Sequence, residues 1–243
     1  MIVVAWVRSL LAYAFLCVYI GVAGPPALLV AYLTGHVRQL FVLGRWGAMT
    51  ARRIFGIRVR VEGLEHVREE RPTVYCINHR SNVDVLVFEL LFPRCPHLRA
   101  LYKSELGRVP ILGMVLSTAG FVPVERAHRD RAIEAVDQAA AHLLAGDSFL
   151  LAPEGTRSRT TQMLPFKKGG FVMAIKAQAP VVPIAIIGSD RVMPRGRFYA
   201  TPGLVVVRIG EPVPTTGLGF DDRDALTARV RERMEALLTA PIG

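Results

Sequence analysis

An α/β fold is predicted by three features of the 243-residue chain: recurring short apolar or β-branched runs, stretches of helical periodicity between them, and a long uncharged segment in front of both. The architecture they predict is a mixed, largely parallel central sheet flanked by helices and preceded by an N-terminal apolar helical hairpin. At 51% hydrophobic residues the chain can build one substantial core, or one domain plus a membrane element. The expected division is a membrane-associated helical segment over residues 1–45 and an α/β domain over residues 46–243.

Between Ser9 and Gly35 there is no charged side chain, and Leu, Ala, Val, Tyr and Phe dominate, with Arg8 before the stretch and Arg38 after it. A spanning helix needs about 20 apolar residues. Gly24-Pro25-Pro26 interrupts the run, and proline inside a helix removes a hydrogen bond and kinks the chain, so two shorter helices are expected on either side of it. They would form a shallow hairpin in one leaflet or a single kinked span. Arg45, Arg52, Arg53, Arg58 and Arg60 would then face anionic headgroups on the cytoplasmic side of the cell membrane. Two rival readings are a signal peptide cleaved near Val22-Ala23-Gly24 and a buried core hairpin. The first is disfavoured because the apolar stretch resumes through Leu43, the second because the rest of the chain already reads as a self-sufficient domain.

Residues 57–61 alternate apolar and basic, the pattern of a half-exposed strand, and residues 73–77, 98–102, 121–124, 148–151, 181–187 and 204–209 are further strand candidates. Residues 130–145 put Ile133, Val136, Ala140 and Leu143 on one helical face, with Gly146 as the stop; Leu226, Val230, Met234 and Leu237 repeat that spacing near the end. Residues 195–203 and 211–219 are Pro/Gly-rich loops.

Charge narrows the partners. Thirty Lys and Arg against twenty Asp and Glu leave +10, which suits a lipid surface, nucleic acid or an acidic carrier protein. Aromatics are only 8%, and no platform of interleaved basic and aromatic residues is present, so membrane phosphates rank above nucleic acid. Cys17, Cys76 and Cys95 are scattered and odd in number, which argues against a disulfide framework and for a reducing compartment. Neither they nor His36, His66, His97, His128 and His142 fall in a metal-ligand spacing, so no metal and no resident cofactor are expected.

The segment richest in chemistry is Asn78-His79-Arg80-Ser81-Asn82-Val83-Asp84, where a strand gives way to a helix-like run. Imidazole changes charge nearest neutral pH, so a His whose ring is held by a carboxylate can take a proton from a hydroxyl. Ser81-x-x-Asp84 is equally a capping box, whose side chains satisfy the free amides of a helix start. The two readings are compatible. Three further segments stand downstream: Gly120-Phe121-Val122-Pro123-Val124-Glu125-Arg126, Pro153-Glu154-Gly155-Thr156-Arg157-Ser158 and Val181-Val182-Pro183-Ile184.

In order and spacing, these four segments resemble the ordered blocks of the glycerolipid acyltransferases, the group containing 1-acylglycerol-3-phosphate acyltransferase. The likeness covers about residues 74–188, with Ala152 standing where the third block usually carries an aromatic. The resemblance implies that His79 and Asp84 are catalytic and that Arg126 and Arg157 bind the acceptor, guanidinium groups gripping phosphate in a fork. Glu154, Gly155 and Thr156 would form the turn that holds the ligand, with Glu154 fixing Arg157 or the acceptor and the Gly155 N–H holding negative charge. Residues 181–184 would line the acyl pocket. Lys103 is a candidate for added positive charge at an oxyanion site, and Lys167-Lys168 one for the nucleotide part of coenzyme A or an acyl carrier protein.

The expected activity moves a fatty acyl group from acyl-CoA or acyl carrier protein, as co-substrate, to the hydroxyl of 1-acylglycerol 3-phosphate, giving phosphatidic acid. Another lysolipid or glycerol 3-phosphate is the alternative acceptor. A hydrolase activating water at His79, and a non-catalytic anionic-lipid-binding module, are the rivals. No Gly-x-Ser-x-Gly elbow is present, so the nucleophile expected is the substrate's own hydroxyl.

Overall fold

The computed structural model describes residues 2–67, 72–125, 128–158, 160 and 162–241. It opens with two helices, α1 (Ile2–Thr34) and α2 (Arg38–Phe55), which pack against each other as a hairpin. The bend lies at residues 35–37, not at the prolines: α1 runs unbroken through Pro25 and Pro26. Each proline removes one backbone donor, and both lie on the exposed side of the helix. Gly24 beside them is buried, for a Cβ there would lie 2.6 Å from Ile111 Cγ2. The actual stop is Gly35, whose φ of +70° suits glycine and whose N–H donates to the Ala31 carbonyl.

At its other end Arg8 caps the hairpin, donating from Nε to the Ile54 carbonyl at 2.7 Å and from Nη2 to the Arg53 carbonyl. A cation at the last carbonyls of α2 is favourably placed. The boundary drawn between residues 45 and 46 falls inside α2, and the chain passes from hairpin to sheet at Gly56, the left-handed C-cap of that helix.

Seven strands form one sheet in the order β1-β7-β6-β2-β5-β3-β4: β1 (Ile57–Glu62), β2 (Val74–Ile77), β3 (Leu98–Lys103), β4 (Val122–Val124), β5 (Ser148–Leu151), β6 (Val181–Ile187) and β7 (Gly203–Ile209). Every pairing is parallel except that of β6 with β7, so the mixed, largely parallel sheet is as expected. The central strands β2, β5 and β6 are buried on both faces, the signature of a sheet covered by helices on each side. Period-2 alternation assigns the faces. Tyr75 and Ile77 join a core with Phe55 of α2 and with Val87 and Leu91 of α3 (Leu86–Leu91), whereas Val74 and Cys76 point to the opposite core.

That second core is closed by α5 (Arg129–Leu144), α6 (Gly169–Lys176) and α8 (Arg223–Thr239). Two short helices, α4 (Leu112–Thr118) and α7 (Ser189–Val192), complete the order. Lys167 and Lys168 stand directly before α6, which Gly169 and Gly170 open. Arg52 does not face outward: its guanidinium lies 3.2 Å from Glu89 Oε1 in a pair 18% and 4% exposed, tying α2 to α3. Arg60 pairs with Glu62 on β1, while Arg53 and Arg58 are exposed.

Candidate active site

β2, β5 and β6 are adjacent and parallel, so their C-terminal ends converge, the place where α/β sheets gather ligand contacts. The segment after β2 carries His79 and Asp84, the segment after β5 carries residues 153–158, and the segment after β6 leads to Met193. Asn78 anchors the first to the sheet by exchanging two side-chain hydrogen bonds with the backbone of Ile186, at 2.6 and 3.0 Å.

His79 Nδ1 lies 2.8 Å from Asp84 Oδ2. The same oxygen accepts the backbone N–H groups of Arg80 and Ser81, each at 2.7 Å. Asp84 therefore caps the 3₁₀ turn Asn82–Val85 and holds the imidazole at once, as the compatible readings of the motif anticipated. Its side chain is fully buried, whereas the His79 ring is 27% exposed. With Nδ1–H directed at the carboxylate, Nε2 is left as the basic nitrogen. Ser81 pins the loop further, donating from Oγ to the Met193 carbonyl at 2.6 Å.

Glu154 holds two loops together and does not fix Arg157. Its buried carboxylate accepts the backbone N–H of His79 at one oxygen and that of Leu164 at the other, both at 2.8 Å, and makes no bond to Arg157. Its chemistry is that of a clamp across two loops, which two backbone amides require when buried. The Ser158 N–H closes the same junction by donating to the His79 carbonyl at 2.8 Å. The Gly155 N–H is likewise unavailable for negative charge, because it donates to the Ala152 carbonyl in the turn. Glycine is still needed there: φ is +69°, and a Cβ would lie 2.8 Å from Lys167 Cε, so the Lys167 stem covers the turn. Thr156 is exposed.

Arg157 donates from Nη1 to Asn82 Oδ1 at 2.6 Å, which brings the third block against the first beside His79. Among the described residues it enters no ion pair. Arg126 lies outside the described residues. Lys103 is 55% exposed and paired with Glu105 at 2.9 Å. Residues 181–184 are core strand, with Val181, Val182 and Ile184 fully buried, and they line no cavity that the hairpin helps to form.

An apolar cavity of about 420 Å³ instead lies between the hairpin and the sheet domain. Leu16, Ile20, Ala23 and Ala27 of α1, Gly44, Ala48 and Ala51 of α2, and Val115 of α4 line it, and it reaches Asn82 and Val83 of the histidine loop. Its volume is in the range of small-molecule sites, about 300–1,000 Å³. Sequence patterning had no means of finding this space, because it arises from two separate elements packing at a distance. Asn82 and Arg157, by contrast, both stood inside the motifs, and only their pairing was hidden.

The protein-family model described as Acyltransferase matches residues 58–187. The chain is 36% identical over 187 residues to 1-acyl-sn-glycerol-3-phosphate acyltransferase alpha of Mus musculus, covering 76% of this chain and 65% of that protein. It is 30% identical over 184 residues to the 1-acyl-sn-glycerol-3-phosphate acyltransferase of Saccharomyces cerevisiae, covering 74% and 60%. The chain thus spans slightly less than two thirds of the length of these relatives. The crystal structure of the 1-acyl-sn-glycerophosphate acyltransferase PlsC from Thermotoga maritima superposes with a TM-score of 0.76 at 26% identity, over 97% of this chain and 98% of that one.

Proposed function

The chain belongs to the Acyltransferase family, and from that premise we propose that it is a membrane-associated O-acyltransferase. It moves a fatty acyl group from an acyl thioester to the free hydroxyl of 1-acylglycerol 3-phosphate, giving phosphatidic acid. The observation that carries this reading is the 2.8 Å contact of His79 with a buried Asp84, on a loop that also borders an apolar cavity.

The acceptor hydroxyl gives its proton to His79 Nε2 as its oxygen attacks the thioester carbonyl. Asp84 keeps the ring in that tautomer and stabilises the imidazolium that forms. Collapse of the tetrahedral intermediate breaks the C–S bond, and the departing thiolate takes the proton back from Nε2. No covalent enzyme intermediate is required. Arg157, fixed by Asn82, grips the acceptor phosphate together with Arg126, and loop rigidity from Glu154 holds the hydroxyl within reach of the base. The apolar cavity takes an acyl chain. Lys167, lying over the Gly155 turn, is the cation available to the phosphates of a coenzyme A or acyl-carrier-protein donor, whereas Lys168 is paired with Asp224 at 2.7 Å.

Membrane association rests on α1, among the described residues the one helix long and apolar enough to cross a membrane. It does not project from the domain. Ser9 Oγ accepts the Ala200 N–H at 2.9 Å near one end, and Ala27 and Ala31 pack with Phe41 and Phe92 near the other. A helix held along its length in this way lies in the interface, its outward Leu10, Val18, Val22 and Leu33 in the acyl region of the cytoplasmic leaflet.

Purified protein in mixed micelles, given lysophosphatidate and an acyl thioester, tests the proposal by thiol release and product mass. Phosphatidic acid formation that disappears with His79→Ala is expected. Free fatty acid formed without acceptor would indicate a hydrolase, and lipid binding without thiol release would end the transferase reading.

A further inference from the structure

Residues 193–200 form one loop that touches both the candidate catalytic loop and the start of α1. At its first end the Met193 carbonyl accepts the Ser81 hydroxyl, Pro194 bridges Ser81, and Arg195 donates to the Arg157 carbonyl. At its far end Tyr199 packs against Trp6 at a tilt of 36°, with ring centroids 4.6 Å apart, and the buried Ala200 N–H donates to Ser9 Oγ.

The middle is a tight turn, Pro194-Arg195-Gly196-Arg197, closed by the Arg197 N–H on the Pro194 carbonyl at 3.0 Å. Gly196 supplies the positive φ of +85° that the third position of such a turn demands. This local chemistry leaves Phe198 73% exposed, beside Arg197, whose guanidinium lies 4.9 Å from the centre of the Tyr199 ring.

We propose that this turn and Phe198 are a second membrane contact, which seats in the headgroup layer of an anionic phospholipid bilayer and sets the height of His79 above it. The inference rests on the reading of α1 as an interfacial helix. Two features select a lipid surface as the occupant. An exposed aromatic preceded by Arg195 and Arg197 in the same turn matches the boundary between acyl chains and anionic headgroups, with the ring in the apolar side and the cations on phosphate. The patch is also continuous, through Tyr199 and Trp6, with the exposed apolar face formed by Val3, Val7 and Leu10.

The consequence for catalysis is geometric. Because one end of the loop is bonded to Ser81 and Arg157, seating the turn fixes the catalytic loop relative to the plane from which the acceptor phosphate arrives.

The test places an environment-sensitive dye at Phe198→Cys in the full chain, with Cys17→Ser removing the exposed native thiol and Cys76 and Cys95 buried. A second protein carries the dye at Leu10→Cys in the same background. On vesicles of phosphatidylglycerol and phosphatidylcholine, both dyes should shift to the blue and be quenched by nitroxide-labelled lipid. A dye at position 198 that stays accessible to aqueous iodide while the one at position 10 reports lipid overturns the loop proposal alone. If both stay aqueous, the interfacial reading of α1 fails and takes the loop proposal with it.

Unlabelled variants guard against insertion driven by the dye. On anionic vesicles Phe198→Ser should lower activity about tenfold and Arg197→Gln about fivefold, with both unchanged in detergent micelles. Equal losses in vesicles and micelles would mark the loop as purely structural and overturn the proposal.

Discussion

His79, Asp84 and Glu154 divide one task among three side chains, and substitution separates their parts. Removing the base with His79→Ala should lower kcat by about 10²–10⁴, the usual share of general-base catalysis, while the thermal unfolding transition stays in place. Asp84 is the more instructive position, because one oxygen serves both the ring and two backbone amides. An asparagine can still cap the turn with its carbonyl but cannot stabilise an imidazolium, so Asp84→Asn should fold and turn over slowly. Loss of folding with nearly normal turnover per folded molecule would show that capping is the whole of its role. Glu154→Gln sets an amide donor against one of two backbone N–H groups, at His79 or Leu164. Leaving one buried donor unmatched costs about 1–3 kcal/mol, which the denaturant midpoint should register together with a fall in kcat.

At the scale of elements, local signals proved sufficient where a period repeats. All seven strand candidates are strands, because alternation and β-branched runs report burial residue by residue. Strand order was not legible, since the antiparallel β6–β7 pair between parallel neighbours follows from packing and not from either strand alone. The break expected at Gly24-Pro25-Pro26 falls at Gly35 instead. Gly35 adopts the left-handed backbone that other residues resist, whereas the helix runs on through the exposed prolines, with Gly24 beside them packed on Ile111. Arginine direction was equally hidden, because only the fold reveals that Glu89 waits inside for Arg52. That pair fastens the hairpin to the sheet domain, and leaving the buried Glu89 without its cation costs about 3–5 kcal/mol. Arg52→Ala should therefore lose most of that amount in chemical unfolding in detergent, whereas an apolar double replacement, Arg52→Met with Glu89→Leu, should recover much of it. Equal losses in the single and double variants would refute the assignment.

Across the whole molecule, the polar half of the candidate site was readable because the residues that converge there sit in two compact motifs, residues 78–84 and 153–158, each following a strand. The apolar half was not, for the cavity exists only when α1 and α2 close over the sheet, and none of residues 181–184 contributes to it. Acyl-chain selection should accordingly respond to the hairpin and not to β6. Gly44 and Gly47 of α2 both border the cavity but differ in what surrounds them. A Cβ on Gly47 would lie 2.7 Å from the Tyr19 ring, so substitution there separates the helices. A Cβ on Gly44 meets nothing within 4 Å, so a larger side chain can occupy the cavity without moving the backbone. Each methylene kept out of an apolar site forfeits about 0.8 kcal/mol, or about fourfold in kcat/KM. Gly44→Leu should therefore move the optimum toward shorter acyl thioesters, leaving the KM for lysophosphatidate and the turnover of the shortest donors nearly unchanged. A ladder of chain lengths assayed by thiol release measures this directly. An optimum that stays in place in a folded Gly44→Leu protein would mean that the acyl chain lies elsewhere, and the cavity would lose its assignment.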